Sequence, residues 1–176
     1  MTGHNHGGSV STSGQNTQSH EPSIKQVNIN AEAKQALQLL FNDYLEIKNA
    51  LVNDNLEEAQ NSSASFLDNL GKINMSLFKG QAHQVWMDYS SQAKQALQHV
   101  AHFQDIKEMR KAFQSLSNTM IGLAKSFNPS KETMYIQHCP MADSNKGADW
   151  LSLSDEIRNP YFGASMLTCG NVKEEL

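Results

Sequence analysis

Two cysteines, Cys139 and Cys169, are the most reactive side chains in the chain, and each has a methionine close by in sequence. The first lies in His138-Cys139-Pro140-Met141 and the second in Met166-Leu167-Thr168-Cys169. Thiolates and thioethers are soft, polarizable donors, so two Cys and one or two Met select Cu(I) over hard ions such as Mg²⁺ or Ca²⁺. Pro140 fixes the backbone between Cys139 and Met141, while Gly163 and Gly170 let the second segment turn towards the first. The same two thiols could instead form a disulfide. That bridge would close a loop of about 30 residues and contribute about 3–4 kcal/mol in the chain-entropy model. Their spacing excludes a CxxC redox or zinc knuckle. Met166 reads equally well as core filling, because Met packs irregular gaps.

Other donors rank below these. His83 and Met87 lie one turn apart on the apolar side of a helix and could face a loop-borne site, although a partly buried histidine and a core methionine explain them as well. Met120 reads as packing. His99 and His102 share a helix face at the i, i+3 spacing that can chelate a borderline metal, and also read as two solvated histidines. His4 and His6 belong to the N-terminal tail. There Thr2-Gly3-His4, if freed of Met1, would offer an amine, two amides and an imidazole, a nitrogen set that suits Cu(II) or Ni(II). Asp143 with Asp149, and Asp155 with Glu156, read as solvated carboxylates and caps, and His138 is tethered too closely to orient Cys139 as a nucleophile. No catalytic set emerges, and the chain is not expected to be an enzyme.

Four segments must carry this chemistry. Asn30 caps a helix whose Leu37, Leu40, Tyr44, Ile47 and Leu51 share one face. Asn55 and Glu58 have capping-box spacing ahead of Ala59, Ser63, Phe66, Leu70 and Ile73. Gly80 precedes a third stripe, Trp86, Tyr89, Ala93, Ala96 and Val100, ending near Phe103. Asp105 and Glu108 open a fourth, through Met109, Phe113, Leu116, Met120, Leu123 and Phe127, before Asn128-Pro129 stops it. The fold class predicted is all-α: an up-down four-helix bundle with an irregular C-terminal cap that bears the motifs. Residues 130–176 are rich in breakers, with a short strand expected at Met134-Tyr135-Ile136 and one helical turn from Ser154 through Arg158. Trp150, Leu151, Ile157, Tyr161, Phe162, Met166 and Leu167 are to staple the cap to the bundle, each worth about 1.5–3 kcal/mol if fully buried.

The domain boundaries expected are a polar tail over 1–29, disordered through its Gly, Ser, Asn, Gln and His content, then one domain over 30–176, with the bundle at 30–128 and the cap at 129–176. The chain has 176 residues, 18 acidic and 14 basic, with a pI near 5.9. No dense basic stripe is present to neutralise phosphates, which argues against nucleic acid as a partner. No run of eighteen apolar residues could cross a bilayer. The N-terminus lacks the basic start and apolar run of a secretory signal, which leaves two expectations: a cytoplasmic protein, or an exported one whose leader has been removed.

The run from Tyr135 to Ala142 (YIQHCPMA), with GADWLS from Gly147, IRNPYFG from Ile157 and MLTCG from Met166, resembles a bacterial envelope domain of formally unknown function. That domain occurs alone in small exported proteins or lipoproteins and fused to the C-terminus of the periplasmic adaptor (membrane fusion) subunits of heavy-metal RND efflux pumps. The resemblance covers about residues 31 to 176, with its specificity in the last 42 or so. It implies a helical bundle capped by the motif segment, a periplasmic or cell-envelope location with a membrane tether through a removed lipoprotein signal, and a role in copper or related heavy-metal handling. Cys139, Met141, Met166 and Cys169 match its sulfur positions, with His138 beside them, and Trp150, Asn159, Pro160, Tyr161, Phe162 and Gly163 match its structural signature. The expected ligand is Cu(I), with Ag(I) as a second ion, and the expected partner is an efflux adaptor or another envelope protein. The alternative is a non-catalytic interaction module stapled by a Cys139–Cys169 disulfide.

Overall fold

The structure is a computed structural model that describes residues 26–176. The tail's His4, His6 and the Thr2-Gly3-His4 site lie outside the described residues. Val27 donates its N–H to the Ser126 carbonyl at 2.7 Å, and Val27 and Ile29 pack against the core. Residues 26–29, which composition groups with the tail, therefore lie against the bundle.

Four long helices form where the apolar spacing demands them: α1 (Ala31–Val52), α2 (Leu56–Lys72), α3 (Gln81–Leu97) and α4 (Ile106–Phe127). Each start is fixed by a residue named from sequence. Asn30 accepts from Ala33 N at 2.7 Å, Asn55 from Glu58 N at 3.0 Å and Asp105 from Lys107 N at 2.8 Å, each satisfying a donor the helix cannot. Gly80 precedes α3 at φ +58°, a conformation open to glycine. At the other end of α4, Asn128 turns left-handed at φ +41° ahead of Pro129.

The stripes become the core. Leu37, Leu40, Tyr44, Ile47 and Leu51 of α1 are completely buried, as are Phe66 of α2 and Met109, Phe113, Leu116, Met120 and Leu123 of α4. Phe78, in the loop before α3, stacks on Trp86 with ring centroids 4.7 Å apart and planes 6° apart. Helix α3 stops at Leu97 rather than near Phe103. The chain tightens there into a 3-10 turn at Val100–His102, because Gln60 Nε2 takes the carbonyls of Val100 (2.7 Å) and Phe103 (3.0 Å).

The all-α expectation is corrected by the cap, which holds a three-stranded antiparallel sheet, β1 (Tyr135–Cys139), β2 (Ala148–Ser152) and β3 (Asn171–Glu175), in the order β2-β1-β3. The short strand expected at Met134-Tyr135-Ile136 is longer and central. Between β1 and β2 lies a four-residue turn, α5 (Ala142–Asn145), in which Asp143, Ser144 and Asn145 all take positive φ, from +49° to +65°. The expected helical turn from Ser154 is absent. Ser154 Oγ instead accepts Glu156 N at 3.1 Å in a local side-chain turn.

The β2 edge is sealed by two phenols. Tyr44 OH accepts the Leu151 N–H at 3.0 Å, and Tyr161 OH donates to the Asp149 carbonyl at 2.6 Å. Backbone groups that an edge strand would leave open are thus paired to bundle and cap. Burial holds both phenols above the usual tyrosine range, so they remain neutral donors and acceptors.

Candidate thiol site in the cap

Cys139 closes the central strand and is fully buried, while Cys169 lies on the loop after a short 3-10 turn (Gly163–Met166) and is partly exposed. Their Sγ atoms are 3.3 Å apart and unbonded. A strand with hydrogen-bonded neighbours on both sides thus presents one thiol to a second that arrives from a loop thirty residues later. Pairing in this way raises the Cys169 thiol above its ordinary range, first through its hydrogen bond with Cys139 and then through burial.

The approach of the second segment depends on close backbone contact. Gly170 has φ +143°, and a β-carbon there would stand 2.6 Å from the His138 carbonyl and 3.1 Å from the Trp150 ring. Only glycine lets the Cys169 segment lie this close to β1. Asn159, fully buried, reaches the same segment with its side-chain amide, donating to the Cys169 carbonyl at 2.8 Å.

The covering loop is anchored to the bundle by residues that no local pattern singles out. Arg110 on α4 donates through Nε to the Pro160 carbonyl (2.9 Å) and through Nη2 to Leu51 O (3.1 Å) and Asp54 Oδ1 (2.6 Å). Asp54 Oδ2 accepts Ala164 N at 2.9 Å. The Ala164 N–H, and then the Arg110 guanidinium, hold the Asp54 carboxyl below the usual carboxylate range. Gly163, at φ +55°, is pressed so closely on this carboxylate that a β-carbon would come within 2.2 Å of Oδ1. Asp54 in the turn between α1 and α2 and Arg110 on α4 share no spacing that a sequence could reveal.

The remaining predicted ligands divide. Met166 is joined to Cys169 by one turn, Cys169 N donating to Met166 O at 3.1 Å, and it is partly buried. Met141, next to Cys139 in sequence beyond Pro140, is 45% exposed. His138 does not join the thiols. Successive strand residues face opposite sides, and its Nδ1 lies 2.6 Å from Oδ1 of its cross-strand partner Asp149, whose Oδ2 also meets Lys173 Nζ at 3.0 Å. His83 and Met87 prove exposed rather than set on the apolar side of α3, which runs through Ala82, Trp86, Ala93 and Leu97. His99 and His102 are exposed at the helix end, and Met120 is core. Among the described residues, no group of three or more His, Cys, Asp and Glu side chains converges to hold a metal ion, so the thiol pair stands as a two-sulfur centre with thioethers in its flanking turns.

On the thiol face of the sheet, Gln137 is buried between the strand and its cover, its Nε2 donating to the carbonyls of Ser154 (2.9 Å) and Glu156 (3.1 Å). Two carbonyl partners fix which end of that amide is nitrogen. Its sequence gave no hint of this role, since a lone Gln in a strand reads as solvated.

Fold and site together define a helical bundle whose β-cap carries a pair of adjacent free thiols. A family model for a protein of unknown function (DUF3347) matches residues 40–132, more than half of the chain, and the protein belongs to that family. The match covers the bundle from the middle of α1 onward, whereas the resemblance read from sequence drew its specificity from the motifs of the cap. No curated protein and no solved structure matches the chain.

Proposed function

We propose that this protein binds a soft monovalent ion, Cu(I) with Ag(I) as a second, and buffers it or hands it to heavy-metal efflux machinery in the bacterial envelope. The observation that carries the reading is the 3.3 Å contact between the two free thiols. Soft sulfur donors match a soft ion, and binding exchanges the thiol protons for metal. Cys139, buried in the central strand, is the fixed donor. Cys169, partly exposed on a loop, is the one an incoming sulfur ligand can reach, and Met166 and Met141 are the thioethers nearest in sequence. His138, engaged with Asp149, is left to the periphery of the site. The envelope location, a lipid tether upstream and an efflux adaptor as partner rest on the resemblance of the cap motifs. No described helix is long and apolar enough to cross a membrane.

An anaerobic Cu(I) titration of the reduced protein against a competing chromogenic chelator tests this. One tight equivalent is expected for the native chain and none for the Cys139→Ser, Cys169→Ser double variant, with the helical circular dichroism of both alike. Stoichiometric binding retained by the double variant, or failure of the native chain to compete, would overturn the proposal.

The same contact favours a second reading, a non-catalytic interaction module in which the two sulfurs bond to each other in an oxidising compartment. That reading expects no titratable thiol in oxidised material and a large drop in melting temperature on reduction.

A further inference from the structure

We infer that Asn159 is the positioning residue of the thiol pair: its side-chain amide, by holding the Cys169 carbonyl, keeps Cys169 Sγ against Cys139. The inference rests on the reading that the two sulfurs act as a unit, and it extends that reading from the donors to what aligns them.

Cys139 is held by its own strand, since it pairs with Ala148 of β2 and follows His138, which is paired on both sides. Cys169 has no such ladder, since β3 begins only at Asn171. Its backbone is held at two points: its N–H by the Met166 carbonyl at 3.1 Å, within its own turn, and its C=O by Asn159 Nδ2 at 2.8 Å. The second is the one that ties the turn to the rest of the cap. Asn159 is suited to this because every one of its polar groups is engaged. Its N–H donates to Leu167 O at 2.8 Å, its carbonyl accepts Gly163 N at 3.0 Å and its Oδ1 accepts Tyr161 N at 2.8 Å. The Tyr161 bond fixes Oδ1 and therefore aims Nδ2 at Cys169. Two Asn159 donors thus grip carbonyls two residues apart on the incoming segment, Leu167 and Cys169. Complete burial of the side chain keeps water from competing for those carbonyls. The loop that carries Asn159 is itself pinned at Pro160 by Arg110 and at Ala164 by Asp54, so the alignment of the sulfurs is referred back to the bundle.

The test uses thiol chemistry that requires no copper. The native chain and Asn159→Asp are equilibrated with glutathione: the two thiols give up two protons and two electrons to oxidised glutathione, whose S–S bond breaks as the Cys139–Cys169 bond forms, leaving two reduced glutathiones. Asparagine and aspartate are the same size, and the variant keeps the acceptor for Tyr161 N while replacing the donor. As a neutral acid it can still donate to the Cys169 carbonyl; as a carboxylate it repels it. The ratio of native to variant equilibrium constants is therefore expected to lie near one at low pH and to rise to about five- to tenfold as the carboxyl ionises, one hydrogen bond's worth. Melting temperatures of the reduced proteins over the same pH range separate the two roles, since a merely structural asparagine would shift the melting temperature with pH and leave the ratio flat. A ratio flat and near one across the pH range overturns the inference.

Asn159→Ala, followed in parallel, is expected to lower the constant at every pH. Should neither variant fold, hydrogen exchange on the native chain decides: slow exchange of the Asn159 side-chain amide is expected, and exchange at the free rate in folded protein overturns the assignment. These readouts stand apart from the copper titration. A failed titration leaves the thiol equilibrium measurable, and a flat thiol equilibrium leaves the copper stoichiometry untouched.

Discussion

Tyr44 on α1 and Leu151 on β2 are joined by a hydrogen bond of 3.0 Å from the strand's backbone N–H to the phenol oxygen, which also lies 2.8 Å from Ser117 Oγ. A residue that belongs to the helical stripe by its spacing thus serves the sheet by its hydroxyl. Its ring packs with Phe113 at 5.2 Å, so the apolar and polar ends of one side chain bind the two layers of the domain.

Tyr44→Phe separates these roles. The ring stays, while the Leu151 N–H is left buried without its partner, at a cost of about 1–3 kcal/mol. Urea unfolding followed by circular dichroism should show the loss at every pH between 5 and 9, because burial keeps the phenol neutral throughout. A stability equal to that of the native chain would show that water reaches the strand edge.

Cys169 should be the first thiol to react with iodoacetamide, since Cys139 is fully buried. In the native chain the reaction is slow at neutral pH, because the hydrogen bond with Cys139 favours the protonated form. Cys139→Ala removes the larger cause of that shift. Alkylation of Cys169 at pH 8, read by mass spectrometry, should then accelerate several-fold, and equal rates in the two proteins would count against the contact.

Asp54 has a depressed carboxyl, held so first by the Ala164 N–H and then by Arg110. A group whose folded value is lowered stabilises the fold above the ordinary carboxylate range near 3.9 and loses that contribution as pH falls through the folded value. Asp54→Asn should therefore cost about 1 kcal/mol at pH 6, a modest figure because the group is exposed to solvent. The difference from the native chain should narrow as pH is taken well below 4, and a difference that stays constant would locate the effect elsewhere.

Lys48 on α1 is buried, and its ammonium is held below the usual lysine range, first by burial and then by Arg158. Between the folded and unfolded values the unfolded chain binds more protons, so stability rises with pH there. Lys48→Met removes the charge and keeps the length. It should raise the melting temperature at pH 7 by less than Tyr44→Phe lowers it, and the gain should fade as alkaline pH neutralises the native lysine.

The bundle was readable because helices advertise themselves twice, by a 3.6-residue apolar period and by capping side chains. Leu37, Leu40, Tyr44, Ile47 and Leu51 satisfied the first, and Asn30, Asn55 and Asp105 the second. The sheet offered far less, only the short strand expected at Met134-Tyr135-Ile136. In β1 both Ile136 and Gln137 are buried because that strand is covered on its two faces, which erases the alternation that marks a half-exposed strand, and β3 is exposed along its whole length. At the thiol site, residue type was enough to name Cys139 and Cys169 as one centre. Placing His138 outside it required the strand, since its adjacency in sequence becomes opposition across the pleat. Asp54 and Arg110 act on residues 50 or more positions away and Gln137 on carbonyls 17 and 19 positions on, where one sequence offers no spacing to read.

The left-handed turn of Asp143, Ser144 and Asn145 begins just four residues beyond Cys139 and delivers the chain into β2. For most L-residues each such conformation costs roughly 1–2 kcal/mol. Handedness here therefore limits which side chains the connection can accept. A branched or aromatic replacement at any of the three positions would add strain to the connection between the strand that bears one sulfur and the strand paired with it. Substitution in this stretch is therefore expected to be tolerated only by glycine, asparagine, aspartate and similarly small polar side chains.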